Sequence, residues 1–126
     1  MTGVQTCALP ISVVALVGDG SAMYTVQALW TAAHYKIPLI WVIFNNTSYR
    51  ILKQRLVAMR GIAEQADTFV GMELNNPAID FVGLAKSLGI DAARATNVKD
   101  ATDLIAKGLK DNRPLLIDVA MERGYK

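Results

Sequence analysis

A chain of 126 residues, 52% hydrophobic and 19% charged, has the length and apolar content for one soluble globular domain and too few charges for a disordered one. Its net charge is only +2 with scattered basic residues, which argues against a nucleic-acid surface, and its longest apolar run, Pro38 to Phe44, is far short of the roughly 20 residues of a membrane span. A single cysteine, Cys7, excludes a disulfide framework and a cysteine metal site, and fits an intracellular, cytoplasmic location.

Met1 to Ile11 lacks the basic start and apolar run of a signal peptide, and Pro10 interrupts it as a strand. It reads as foreign, similar to a translated sequencing adapter joined to an open reading frame, with an irregular native arm as the alternative; residues 12–126 form the domain. Ser12 to Val17 is a short apolar, β-branched run ending at Gly18, the pattern of a buried parallel strand. Gly18 to Ser21 is expected to be a tight loop. Ala22 to Tyr35 carries apolar residues at helical spacing, and Lys36 and Pro38 close that helix. Leu39 to Phe44 is the second buried strand, and Tyr49 to Met59 the next helix.

Gly61 to Asn76 has weak periodicity and several breakers, so a long loop is expected there. Asp80 to Leu88 reads as a helix closed by Gly89, Asp91 to Ala95 as a short strand, Val98 to Lys110 as an amphipathic helix, and Pro114 to Met121 as the last buried strand. Strands alternating with helices at this spacing predict an α/β fold with a mainly parallel sheet flanked by helices.

Ligands of open α/β sheets sit beyond the carboxyl ends of the strands. Two such ends carry polar loops: Gly18-Asp19-Gly20-Ser21 after the first strand and Asn45-Asn46-Thr47-Ser48 after the second. If the strands are neighbours, Asp19 and Asn46 share one crevice. A carboxylate and an amide oxygen form a hard donor pair suited to Mg²⁺ or Ca²⁺. The glycines allow close approach of an anion, and the helix starts after each loop offer N–H groups to phosphate. Taken singly, a Gly-Asp-Gly is most often a turn and an Asn pair a strand-end cap.

Taken together, with 24 residues between Gly20 and Asn45, they resemble the signature of the thiamine-diphosphate-dependent enzymes. The stretch GDGSAMYTVQALWTAAHYKIPLIWVIFNNTSYRILK, followed by IDFVGLAKSLGI and PLLIDVAMER, resembles the diphosphate-binding domain of the benzoylformate decarboxylase type over Val13 to about Arg123. The resemblance implies thiamine diphosphate and Mg²⁺ (or Ca²⁺) as cofactors. It assigns Asp19, Asn46 and the carbonyl of Ser48 to the metal. Gly18, Gly20, Ser21 and Ala22 then lie against the diphosphate, and Tyr49 presents backbone or ring to the phosphate end.

It also implies a homo-oligomeric parent acting on a small 2-oxo acid. There a glutamate from a pyrimidine-binding domain of the partner subunit activates the cofactor. Glu64, Glu73 and Glu122 match no such position, so the chain alone is expected to be inactive and to expose an apolar face to that domain. An acetolactate synthase-like carboligase and a non-catalytic cofactor-binding module are the alternatives.

Among other residues, His34 is expected at the surface, and Trp30 and Trp41 in the core or an interface. Arg50, Lys53, Arg55 and Arg60 are expected on a solvated helix face, with Arg55 the candidate to face the substrate entrance. Ile51 is bulkier than the small residue typical of the aryl-specific enzymes, which points to a smaller acyl pocket.

Overall fold

The computed structural model describes residues 12–60 and 62–124; the segment 1–11, set apart by its sequence, lies outside the described residues. Each predicted strand forms. β1 (Val13–Gly18), β2 (Leu39–Asn45), β3 (Asp91–Ala95) and β4 (Leu115–Ala120) build one sheet in the order β1-β2-β4-β3, and every pair is parallel. Between them run α1 (Asp19–Ala22), α2 (Ala28–His34), α3 (Arg50–Ala58), α4 (Ile62–Gln65), α5 (Phe81–Ser87) and α6 (Val98–Asp111). The expected parallel α/β architecture is therefore what the chain adopts.

Strand alternation sends β2 into two separate cores, one on each face of the sheet. On one face Ile43 and the half-buried Trp41 meet Leu29 and Ala32 of α2, Phe81 and Ala85 of α5, and Leu116 of β4. On the other, Ile40, Val42, Ala95 and Ile117 pack with Leu104 and Ile105 of α6. Each large side chain so buried contributes on the order of 1.5–3 kcal/mol. Gly108 lets α6 approach closely: a Cβ there would stand 2.9 Å from Ile40 Cδ1 and Leu115 Cδ2.

The helix ends follow the sequence. Asp80 caps α5 by accepting from the Gly83 amide at 2.9 Å, and Asn97 caps α6 by accepting from the Asp100 amide at 2.9 Å. Gly89 takes the left-handed backbone (φ +84°) expected after α5.

Three of the loop and helix expectations differ from the structure. Gly18 to Ser21 is not a loop: Asp19 begins a helical turn directly after β1. The helix expected over Ala22 to Tyr35 is confined to Ala28–His34, and tight turns link it to α1, with Tyr24 N–H donating to Ser21 O and Ala28 N–H to Thr25 O. Those turns keep Ala22, Val26 and Leu29 on the core side, so the apolar spacing persists through the break. The long loop expected after Gly61 holds a short helix, α4, and then returns to pair with the chain at Ser48.

The α6 face is not covered throughout. α6 packs on β2, β3 and β4. β1, expected to be a buried strand, is instead the sheet's edge with no fully buried residue: Leu16 is 64% exposed, Val14 is exposed, and Phe44 beside them is exposed as well.

Candidate functional site

Parallel pairing of β1 with β2 sets Gly18 opposite Phe44, so both chains leave the sheet at the same edge and level. Asp19 is 3% exposed there. Its Oδ1 accepts from the Gly20 amide at 2.9 Å and its Oδ2 from the Ser48 amide at 3.3 Å. Two accepted N–H bonds leave lone pairs on both oxygens. Around this carboxylate opens a cleft of about 330 Å³, lined by Gly18, Asp19, Gly20, Ser21, Phe44, Asn46, Ser48, Tyr49, Arg50, Ile51 and Gln54.

Asn46 lines the same cleft, and its side-chain Oδ1 is buried without a hydrogen-bond partner. A buried amide oxygen left unmatched costs stability unless a missing group satisfies it. Among the described residues no group of three or more His, Cys, Asp or Glu side chains could hold a metal. A cation seated here would therefore have one carboxylate and neutral oxygen donors, the set that suits Mg²⁺ or Ca²⁺.

Ser48 pairs across an antiparallel bridge with Glu73. The bonds of that bridge belong to its neighbours: Leu74 N–H donates to Thr47 O at 2.8 Å and Tyr49 N–H to Met72 O at 3.0 Å. Ser48 is thus a non-hydrogen-bonded pair member, with its own N–H and C=O turned away from Met72–Leu74, the N–H onto Asp19. Its hydroxyl donates to Met72 O at 3.1 Å.

Tyr49 brings its ring rather than its backbone to the cleft. Its N–H is taken by Met72 O, and its carbonyl accepts from the Leu52 and Lys53 amides. The ring lies so close over Gly20 that a Cβ at that glycine would stand 2.4 Å from Tyr49 Cε1. Gly18 faces open space.

Of the residues singled out from sequence, Gly18, Asp19, Gly20, Ser21, Asn46, Ser48 and Tyr49 meet in this cleft. Ala22 does not: it packs against the core and lines a separate small cavity beside Val17 and Leu29. Ile51 lines the cleft and is 69% exposed. Arg55 is exposed outside the lining, which instead contains Arg50 and Gln54. Trp30 is exposed rather than in the core, stacked on His34 with ring centroids 4.9 Å apart.

Lys53 overturns the solvated-face expectation. It is 3% exposed and bonds Glu73 Oε1, while Arg123 Nη2 reaches Glu73 Oε2 at 3.0 Å. The Lys53 hydrogen bond, with Arg123 beside it, holds the Glu73 carboxyl below its ordinary value against the opposing effect of desolvation. Helical spacing could not reveal this, because the partner lies 20 residues away.

Asn45 and Asp118, neither of them a predicted site residue, are both buried. An acid within the apolar run of β4 is the available signal, since an Asp is almost never buried without a partner. Desolvation raises the Asp118 carboxyl above its ordinary value, opposed by the polar Asn45 side chain and the charge of Arg94, whose Nη1 is 3.8 Å from Asp118 Oδ2; Asp118 Oδ1 is buried without a hydrogen-bond partner.

An open parallel sheet with a polar cleft beyond two adjacent strand ends defines a ligand-binding α/β domain. Residues 1–119 match the thiamine pyrophosphate enzyme C-terminal TPP binding domain, and the chain belongs to that family. It is 33% identical over 85% of its length to the benzoylformate decarboxylase of Pseudomonas aeruginosa, covering 19% of that protein. It is 29% identical over 97% of its length to the acetolactate synthase large subunit of Parasynechococcus marenigrum, again covering 19%. A Rhodococcus jostii thiamine diphosphate-dependent 4-hydroxybenzoylformate decarboxylase superposes with a TM-score of 0.80 at 33% identity, covering 91% of this chain and 20% of that one. The chain thus spans about a fifth of the length of these relatives.

Glu73→Ala is expected to lower stability by about 1–3 kcal/mol, because the buried Lys53 ammonium loses that carboxylate. Since the folded carboxyl lies below the ordinary 4.5, the contribution of this contact is full above that pH and is lost as pH falls through the lowered value. Urea titrations at pH 7 and pH 3 check this: the wild-type advantage should be present at the first and shrink at the second.

Proposed function

We propose that this chain is the metal- and diphosphate-clamping domain of a thiamine-diphosphate-dependent 2-oxo-acid decarboxylase of the benzoylformate decarboxylase type, with Mg²⁺ (or Ca²⁺) as its metal. The observation that carries the reading is the buried, unmatched Asn46 Oδ1 in the same cleft as the Asp19 carboxylate. Mg²⁺ or Ca²⁺ would be held by a set of oxygen donors. Asp19, Asn46 Oδ1 and the Ser48 carbonyl supply such a set from two loops.

When bound, thiamine diphosphate supplies an electron sink for the pair left behind as carbon dioxide departs from a 2-oxo acid. The residues of this chain bind and orient. Asp19 balances cation charge while its own position is fixed by the Gly20 and Ser48 amides. The Gly18–Ser21 turn would lie against the diphosphate, and the first-turn N–H groups of α3 at Arg50 and Ile51, which precede the intrahelical bonds, could meet an anion. The Tyr49 ring closes the cleft wall against Gly20. Proton transfer is assigned to a pyrimidine-binding domain and a partner subunit in a homo-oligomeric parent, docked over the exposed apolar edge at Val14, Leu16 and Phe44.

A carboligase of the acetolactate synthase type is a second reading, favoured by the match over 97% of the chain. The products of the intact parent separate the two: an aldehyde from benzoylformate, pyruvate or a branched 2-oxo acid supports the decarboxylase, and acetolactate from pyruvate supports the carboligase.

Three outcomes are expected. Asn46→Ala and Asp19→Ala should each weaken Mn²⁺ uptake in the presence of thiamine diphosphate by at least about tenfold, read by electron paramagnetic resonance; wild-type affinity in both variants would remove the metal site. The isolated 126-residue chain should release no carbon dioxide from any 2-oxo acid, and turnover by host-free protein would contradict the division of labour. In the intact parent, Ile51→Ala should raise kcat/KM for benzoylformate relative to pyruvate by roughly 10-fold, the scale of several methylenes in a pocket. An unchanged ratio would show that Ile51 does not bound the acyl pocket.

A further inference from the structure

We propose that Arg50, with Gln54 one turn further along α3, binds an oxyanion in the cleft. That this oxyanion sits on a metal rests on the proposed function above; the anion site itself does not. Asp19 and Arg50 are the two charged residues among those lining the cleft, and no ion pair joins them. A carboxylate and a guanidinium that share one space without pairing leave two opposite charges to be met by a ligand. A cation carrying an oxyanion meets both.

The phase of α3 turns these side chains to the cleft. At about 100° per residue, Arg50, Gln54 and Ile51 fall within one arc about 100° wide, and these three are the α3 residues that line the cleft. Lys53 falls about 60° outside that arc on the Arg50 side and is bonded to Glu73 instead. Arg55 falls outside it on the Ile51 side and is exposed. Residues one turn apart share a helix face, so the Gln54 amide stands beside the Arg50 guanidinium. Arg50 is half-buried, yet neither side chain has a hydrogen-bond partner among the described residues. A guanidinium offers five N–H donors and no acceptor, which selects an acceptor-rich group.

The charge of Arg50 also runs against its own helix. The start of α3 is the positive end of the helix dipole, and it carries Arg50 first, no acidic residue in its first turn and no side-chain cap. α5 and α6, by contrast, begin behind the capping side chains of Asp80 and Asn97. An oxyanion on the guanidinium relieves that repulsion and reaches the first-turn amides as well. Two sources share this chemistry: a phosphate of the cofactor, and the far carboxylate of a dicarboxylic 2-oxo acid.

The test titrates the full 126-residue chain calorimetrically with inorganic pyrophosphate and with 2-oxoglutarate, each with and without Mn²⁺, and uses pyruvate as the control lacking a far carboxylate. Arg50→Ala should weaken one of the two probes by at least about tenfold, the scale of a hydrogen bond to a charged group. Loss confined to pyrophosphate assigns the site to the cofactor's phosphate, and loss confined to 2-oxoglutarate, with pyruvate unchanged, assigns it to the substrate. Arg50→Lys should recover part of the affinity, because it keeps the charge and loses the fork. Mn²⁺ uptake without any anion should be unchanged in Arg50→Ala, and Tm should not fall, since a cation leaves the positive end of α3. Wild-type affinity of Arg50→Ala for both probes, or an equal loss of Mn²⁺ in the absence of anion, would overturn the proposal. If Arg50→Ala does not fold, Arg50→Gln keeps most of the stem and must show the same loss; wild-type affinity there overturns it. A wild-type chain that binds neither probe overturns it too. A chain that holds pyrophosphate through Arg50 but takes up no Mn²⁺ upholds the anion site while the metal reading of the cleft fails.

Discussion

Ser48 N–H donates to Asp19 Oδ2 across 29 residues of sequence, and the cleft is built around that contact. It is available only because β1 and β2 are neighbours in parallel register, which brings two polar loops off the sheet at one level. An antiparallel or more distant β1 would place Asp19 and Asn46 on different edges. The Asp19 carboxylate accepts two backbone N–H bonds and keeps lone pairs on both oxygens, and the cleft around it is lined by Asn46 as well.

The other side of the Ser48 loop is held by Met72, Glu73 and Leu74. That segment has no strand partner in the main sheet. Its anchor is Glu73, bonded by Lys53 from α3 and by Arg123 from beyond β4. Lys53 is buried, and its stem also brings the ammonium 5.9 Å from the Phe69 ring. One acidic residue thus ties the start of α3, the long excursion after α4 and the C-terminal end of β4 together. Lys53 is buried while Glu73 is nearly half exposed, so loss of the Glu73 carboxylate leaves a buried ammonium without that partner, which is the costly direction of change.

What the sequence made legible is what local patterns encode. Short apolar runs ending in Gly18 and Asn45 gave the strands, and the sheet rule then placed Asp19 and Asn46 at one crevice. The helix caps at Asp80 and Asn97 were equally local. The break between α1 and α2 was not, because tight turns preserve the apolar spacing through Ala22, Val26 and Leu29 while the hydrogen bonds change. Lys53 was misread for the opposite reason: its helical spacing is that of an exposed face, and only a distant Glu73 explains its burial. Thr47 shows no sign of its left-handed backbone (φ +54°), since a β-branched residue is the least expected one there; the bonds that enforce it come from Asn45 and Leu74. Arg55 and Arg50 exchanged places with respect to the cleft, because a helix start cannot be phased from spacing to within one residue.

The apolar surface and the polar cleft meet at one residue. Phe44 lines the cleft and also stands in the exposed stripe with Val14 and Leu16 on the α6 face. Ile51, on the first turn of α3, extends the apolar rim on the other side. The polar half of this boundary, at Asp19 and Asn46, is walled by the protein, whereas nothing among the described residues covers its apolar half at Phe44 and Ile51, and a site open to water on that side holds charge weakly. A second domain seated on the Val14–Leu16–Phe44 edge would bury the apolar stripe and exclude water from the cleft mouth at the same time, which couples assembly of the parent to completion of the site.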